Sequence, residues 1–398
     1  MLSFHLFSLA LLIPAAAWAQ VDIPPEYIPL SAGHVDMAFC YIDGEWEGGL
    51  IPDDGSDPNQ DPENDRAIGD IVPTDSAPLL LRDSAIPAGA RRVSPTGNID
   101  LFGNDLTFIG VGGDSPYWLI PSSGSQQDTV PFVGFAFCAD NDCGEYVETD
   151  PRVSNTNVRA WITFELISLD YFGESTTPGQ FSVYTRKSNQ QFEHWMTTSD
   201  GIGPTDRFLT LGHGHGNLAF SQLGLYSVKM RVFCYEGPGM TNKVTSPEVT
   251  FHFAVGTYWS KIAEYFPPEY WDQPNVIGSL ADPDEDLIPN VIEIATGLNP
   301  NFFDADTYSS TTEVGLPAPS GLNPGEFIYS DWATTASSQI EVEIEASSDG
   351  IDWSPLTSGV TSTPLGTDGT REARKWSGQS GGPQLFRIKG TLLPSISY

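Results

Sequence analysis

The pattern that most constrains this fold is a recurrence of short runs rich in Val, Ile, Phe, Tyr and Trp, separated by Gly, Pro, Asn and Asp. Leu106–Val111, Tyr117–Ile120, Phe132–Phe137, Ala160–Leu166, Gln180–Tyr184, Leu225–Phe233 and Glu248–Val255 are all of this kind. β-Branched and aromatic side chains suit a pleated, half-buried surface, and the punctuating residues suit turns. In Tyr226-Ser227-Val228-Lys229-Met230-Arg231-Val232 apolar and polar residues alternate, as in a strand with one wet face. The chain is therefore expected to be mainly β, with a large β-sandwich over residues 20–255. Apolar residues make up 39% of the chain and aromatics 12%, enough to fill real cores and to argue against disorder.

The period changes near residue 256. Tyr258-Trp259-Ser260-Lys261-Ile262-Ala263-Glu264-Tyr265-Phe266 carries apolar residues at helical spacing and stops at Pro267-Pro268. Asp282-Pro283-Asp284-Glu285-Asp286 then leads into a second short helix, Val291–Ala295, ended by Gly297. Residues 256–305 thus read as a small helix-loop-helix insert. A Ser/Thr/Pro/Gly-rich linker over 306–325 precedes a smaller C-terminal β-sandwich over 326–398, with strand-like Ile340–Ala346 and Leu385–Lys389.

The first residues read as an export signal. An apolar run from Leu6 to Ala17 ends in Ala17-Trp18-Ala19, a small-x-small pattern that predicts cleavage after Ala19. That run is too short for a permanent membrane helix, and no later stretch offers a transmembrane anchor. The expected location is secreted or at the cell surface, with the cell envelope or an extracellular ligand as partner. With 52 acidic against 18 basic residues the net charge is −34, which repels phosphate backbones and argues against nucleic acid. An even set of four cysteines in an exported chain favours disulfides. Three connectivities are possible for Cys40, Cys138, Cys143 and Cys234. The close pair Cys138 and Cys143 suggests a local loop, which would leave Cys40 to Cys234.

The chemistry concentrates at histidine. Leu211-Gly212-His213-Gly214-His215-Gly216 places two imidazoles at i, i+2, and extended backbone points both to one face. Gly33-His34-Val35-Asp36 repeats the arrangement with an imidazole and a carboxylate. Neutral imidazole is the commonest protein ligand for zinc and similar ions, and three histidines with a carboxylate would fill a tetrahedral shell if the two segments are neighbours. The glycines at 212, 214 and 216 would let backbone and metal approach closely. The bland alternative is a turn whose imidazoles cap backbone groups. His194 and His252, each beside aromatic residues, read as structural.

These residues fall in an order that resembles a bacterial surface family. Gly33-His34-Val35-Asp36 is followed by Phe108-Ile109-Gly110 with Tyr117-Trp118-Leu119-Ile120-Pro121, then Pro131-Phe132-Val133-Gly134-Phe135, Gly179–Tyr184, His213-Gly214-His215 with Ala219-Phe220-Ser221, and Gly224-Leu225-Tyr226. Over about residues 30–235 this is similar to the choice-of-anchor M domain, related to surface-anchored repeats of actinobacteria. The resemblance implies an exported or surface-attached protein that binds a metal or metal-containing ligand, with a metal-type transport system as a partner. Leu218 stands where that family usually carries Trp.

A second constellation follows. Asp282, Asp284, Asp286, Asn290 and Glu293 occupy positions 1, 3, 5, 9 and 12 of a calcium loop, and Ile288 offers its carbonyl at 7. Leu287 replaces the glycine expected at position 6. From Trp259 to Pro300 the segment also resembles a C-terminal module of secreted proteins akin to thrombospondin type 3 repeats, and Glu343–Asp349, Trp353 and Phe386-Arg387-Ile388 resemble its β partner. That resemblance implies an accessory role. The other acidic clusters, Asp53–Asp70 and Asp140–Asp142, read as solvated loops.

Catalytic signatures are weak. Gly113-Asp114-Ser115 and Ser380-Gly381-Gly382-Pro383 are fragments of a serine-protease pattern far apart in the chain, and no His-Glu-x-x-His helix occurs. The expectation is a non-enzymatic binding protein. It would hold zinc or another transition metal at His34, Asp36, His213 and His215, and calcium in the downstream loop. The alternative is a structural or adhesive surface module contacting glycans.

Overall fold

The computed structural model describes residues 21–42, 45–52, 71–82, 106–111, 117–124, 130–139, 162–189, 191–210, 213–236, 242–304, 318–319, 326–332, 340–347, 351–355, 361–367, 371–377 and 385–392. The export signal, both Asp53–Asp70 and Asp140–Asp142, Cys143, Gly113–Ser115, Ser380–Pro383, Gly212 and most of the 306–325 linker lie outside these residues.

The fold is mainly β and sandwich-like, as the run pattern predicts. In chain order the strands are β1 (His34–Ile42), β2 (Glu45–Pro52), β3 (Leu79–Leu81), β4 (Trp118–Ile120), β5 (Phe132–Ala139), β6 (Ile162–Phe172) and β7 (Phe181–Arg186). They continue as β8 (Phe192–Thr197), β9 (Arg207–Thr210), β10 (His213–His215), β11 (Asn217–Phe220), β12 (Gly224–Glu236), β13 (Asn242–Thr245) and β14 (Val249–Val255). Three sheets result, ordered β10-β5-β1-β2, β4-β11-β7-β8 and β3-β14-β12-β6-β9, with β13 added to β12.

The alternation read in Tyr226–Val232 is visible in packing: Tyr226, Val228, Met230 and Val232 are buried while Ser227, Lys229 and Arg231 are only half-buried. Phe39, Phe135, Phe164 and Phe208 interlock edge-to-face or stacked between sheets, at ring separations of 4.8–5.7 Å. Leu106–Val111 departs from its expected strand. A 3-10 turn forms at Thr107–Ile109, and Phe108 and Ile109 pack in a satellite core with Tyr117 and Leu119. Apolar content alone does not distinguish a buried turn from a strand.

After β14 come α1 (Thr257–Tyr265), α2 (Pro274–Ile277) and α3 (Asn290–Thr296). Helix α1 ends before Pro267 and Pro268, and α3 ends at Gly297, whose φ of +80° is the left-handed cap that glycine accepts without strain. Seven residues is too short for an independent helix. Accordingly α3 is buried along its whole length, and Val291, Ile292, Ile294 and Ala295 join the main apolar cluster.

The remaining strands are β15 (Ala318–Pro319), β16 (Glu326–Trp332), β17 (Ile340–Ser347), β18 (Ser354–Pro355), β19 (Thr361–Thr367), β20 (Arg371–Ser377) and β21 (Leu385–Leu392). They form two sheets, β15-β16-β20-β19 and β18-β17-β21. Ile340 and Leu392 share the apolar cluster of the helices.

The expected pairing of Cys40 with Cys234 is corrected. Cys234 is a buried thiol outside any disulfide. Cys40 lies in register opposite Cys138 on the neighbouring parallel strand, at the roughly 4.8 Å strand spacing that disulfides can span. Cys40 is disulfide-bonded, and Cys143 of the expected local loop lies outside the described residues.

Candidate metal centres

The histidine segments meet on one sheet. Strand β1 runs parallel to β5, with His34 opposite Phe132 and Asp36 opposite Gly134. Strand β10 runs antiparallel to the other edge of β5, with His213 opposite Ala136 and His215 opposite Gly134. Asp36, Gly134 and His215 therefore form one row across three strands. Val35, Met37, Val133 and Phe135, at the alternate positions, fill the apolar core.

The outer members of that row stand two strand spacings apart, about 9.6 Å at the backbone. They can lean together only because the middle residue has no side chain. A Cβ on Gly134 would lie 1.9 Å from Asp36 Oδ1, 2.9 Å from His213 Nε2 and 3.0 Å from His215 Cε1. The space-making glycine is thus Gly134, which sequence spacing did not single out. Gly216, expected to admit a metal, instead admits packing, since a Cβ there would meet Val183 and Trp195 at 2.8 and 2.9 Å.

The resulting geometry is that of a ligand shell. One donor atom from each of His34, His213 and His215 lies within 4.8 Å of the others. Asp36 Oδ1 is 3.3 Å from His34 Nε2 and 3.1 Å from His213 Nε2. Metal–ligand bonds of about 2.0–2.1 Å at tetrahedral angles put neighbouring donors about 3.3 Å apart, inside the 4.8 Å limit that the three imidazole nitrogens meet, while the Asp36–His213 contact is a hydrogen bond. His215 Nδ1 is 3.1 Å from the Val133 carbonyl oxygen. A carbonyl only accepts, so Nδ1 carries the proton and Nε2 is left basic. The ring of Phe132 stacks on His215 at 4.0 Å and 9°.

Electrostatics suit a cation. Burial works against ionising Asp36, which is 1% exposed, but hydrogen bonds to His213 and His34 outweigh it and hold the carboxyl well below the usual range. Burial pushes the His215 imidazole down, favouring the neutral form that ligates.

The acidic loop also converges. Asp282, Asp284 and Asp286 bring carboxylate oxygens within 4.8 Å of one another, and so do Asp286, Glu293 and Asp304. Asp304 was not anticipated, because it lies beyond the twelve positions of the loop pattern. Glu293 is wholly buried, and both its carboxylate oxygens lack a hydrogen-bond partner among the described residues. Burial, then Asp284 and Asp286, push its carboxyl up to about 10. Burial and Asp286 push Asp284 up to about 7. Buried acids without donors are costly unless a cation meets them.

The loop's backbone is shaped by its own carboxylates. Asp282 accepts from the Asp286 and Leu287 amides at 3.1 and 3.0 Å, and Asp286 accepts from the Ile288 amide at 2.8 Å. Glu285 and Leu287 both take left-handed φ, +60° and +74°. Asn290 Nδ2 donates to the Val276 and Gly278 carbonyls at 2.8 and 3.0 Å, which ties the loop to α2, while its buried Oδ1 has no hydrogen-bond partner among the described residues and stays available as the expected ligand oxygen.

His194 and His252 are braces. His194 stacks on Phe108 at 3.9 Å. His252 Nδ1 is 3.0 Å from Ser227 Oγ and its Nε2 2.9 Å from Asp75 Oδ1, which ties the 3-10 turn at Thr74–Ser76 to the sheet. Among the described residues no helix is long and apolar enough to cross a membrane. Neither a scan of protein-family models nor a search of curated proteins finds a match to this chain.

Proposed function

We propose that this is a secreted or cell-surface binding protein whose first β region holds a transition metal, zinc first among them, or a ligand bearing one. His34, His213 and His215 would supply three nitrogens, and Asp36 the charge that neutralises part of the ion and orients two of the rings. The observation that carries this reading is the meeting of a buried carboxylate with three imidazoles, drawn from segments 177 residues apart, at ligand-shell separations. The resemblance to the choice-of-anchor M domain agrees with it and names a metal-type transport system as the partner.

A calcium ion in the loop of Asp282, Asp284, Asp286, Glu293 and Asp304 would be structural. Oxygen-only donors and a buried, donorless Glu293 support a hard cation there.

Metal content by mass spectrometry after zinc loading and dialysis tests the first site. Wild type is expected to retain one zinc per chain at the histidines, and His213→Ala/His215→Ala to lose it. Equal zinc retention in both proteins overturns the reading.

A further inference from the structure

Residues 21–30 cross from the acidic loop to the edge of the large β region, and the connections are continuous. The Asp304 amide donates to Asp286 Oδ2 at 3.3 Å, the Asn299 amide to Asp304 Oδ2 at 3.1 Å, and the Asn301 amide to Asn299 Oδ1 at 3.0 Å. Asn301 then grips both backbone groups of one residue. Its Oδ1 accepts from the Val21 amide at 2.7 Å, and its Nδ2 donates to the Val21 carbonyl at 2.9 Å. Asn301 is 2% exposed and Val21 9%. A neighbouring strand would offer the same two-point pairing; here one buried side chain makes it.

The segment is held again further on. The Tyr27 hydroxyl donates to the Ala263 carbonyl in α1. The Ile28 amide donates to the Ser76 carbonyl at 2.7 Å, and the Leu30 amide to the Pro78 carbonyl at 2.9 Å. The Leu80 amide returns a bond to the Leu30 carbonyl at 2.8 Å, beside β3. One short strap therefore joins the acidic loop, α1 and the first β region.

We propose that a calcium ion in the acidic loop closes a clasp on this N-terminal strap, docking residues 21–30 when the loop is filled and releasing them when it is empty. The inference rests on the calcium reading of the loop. Asp304 couples the ion to the strap. Its carboxylate groups with those of Asp286 and Glu293, so an ion draws all three together, and without it the facing carboxylates of Asp286 and Asp304 repel. Residues 299–304 move with Asp304, and Asn301 sits in their middle. With the cleavage after Ala19 that the sequence predicts, Val21 becomes the second residue of the processed chain. The clasp then closes only after export, where calcium reaches the levels that extracellular modules need.

Hydrogen–deuterium exchange of the full processed protein, in calcium and in EDTA, tests this, with calcium binding followed in parallel by titration calorimetry. The amides of Val21, Ile28 and Leu30 are expected to exchange about tenfold or more slowly with calcium present. Asn301→Ala is expected to keep calcium binding and lose that difference, and Asn301→Asp, which retains the acceptor alone, to fall between. Absence of calcium binding overturns both the clasp and the loop reading. Calcium binding with equal exchange at residues 21–30 overturns the clasp alone, and that comparison needs no variant.

Discussion

At Gly134 the histidine site depends on an atom that is missing. Asp36 and His215 meet across this residue, and Asp36 is too enclosed to retreat from a new methyl group without strain. Gly134→Ala is expected to displace the Asp36 carboxylate and the two imidazoles at some cost in stability, while zinc affinity falls at least about tenfold. Zinc titration against a chromophoric chelator would show it, and an unchanged affinity would mean the ion sits elsewhere. Leu287 is the opposite case, a side chain where none is wanted. It is 89% exposed at φ +74°, so it gains little from packing while bearing a left-handed backbone that costs about 1–2 kcal/mol outside glycine. Leu287→Gly removes that strain and gives back part of it as chain entropy. A net gain of about 0.5–1 kcal/mol in calcium-bound stability follows, measurable by urea unfolding. A loss would show that Leu287 contributes contacts.

At the level of elements, β5 does three jobs with consecutive residues: Phe132 stacks on His215, the Val133 carbonyl sets its tautomer, and Gly134 clears the space. The i, i+2 spacings of His34/Asp36 and His213/His215 were legible in the sequence, because strand periodicity is local. The platform was not, because which strand lies between β1 and β10 is a matter of topology. Likewise the twelve-position spacing marked Glu293, while Asp304 arrives through a turn beyond α3 that no local pattern encodes. The Cys40 expectation failed for the same reason, since β1 pairs with β5 rather than with β12. Helix α3 carries its own test. Glu293 is in its first turn and must either keep a proton or meet a cation. Glu293→Gln is expected to raise the melting temperature in EDTA at pH 8 and to abolish the increment that calcium gives wild type. A variant that still gains stability from calcium would place the ion outside the α3 carboxylate.

Across the whole molecule, acidic charge is in large excess, and two of the loop's buried carboxyls, Glu293 and Asp284, convert that excess into a pH dependence opposite to the usual one. Most paired carboxylates have depressed values and stabilise a protein as pH rises through the acid range; Asp36, held low by its imidazoles, belongs to that kind. Glu293 and Asp284 are raised, to about 10 and about 7, above ordinary values of 4.5 and 3.8. Between those limits the folded chain with an empty loop binds more protons than the unfolded chain, so its stability falls as pH rises. Calcium reverses this. The ion displaces the protons and therefore binds more tightly at higher pH. In EDTA the melting temperature is expected to drop from pH 5 to pH 8, while the gap between calcium-loaded and EDTA samples widens over the same range. At a tenfold excess over Kd the gap corresponds to about 1.4 kcal/mol, a shift of a few degrees at roughly 2–4 °C per kcal/mol. Calorimetry at pH 5, 6, 7 and 8 measures both trends, and a gap that stays constant or narrows with pH would show that Glu293 and Asp284 do not release protons to the ion.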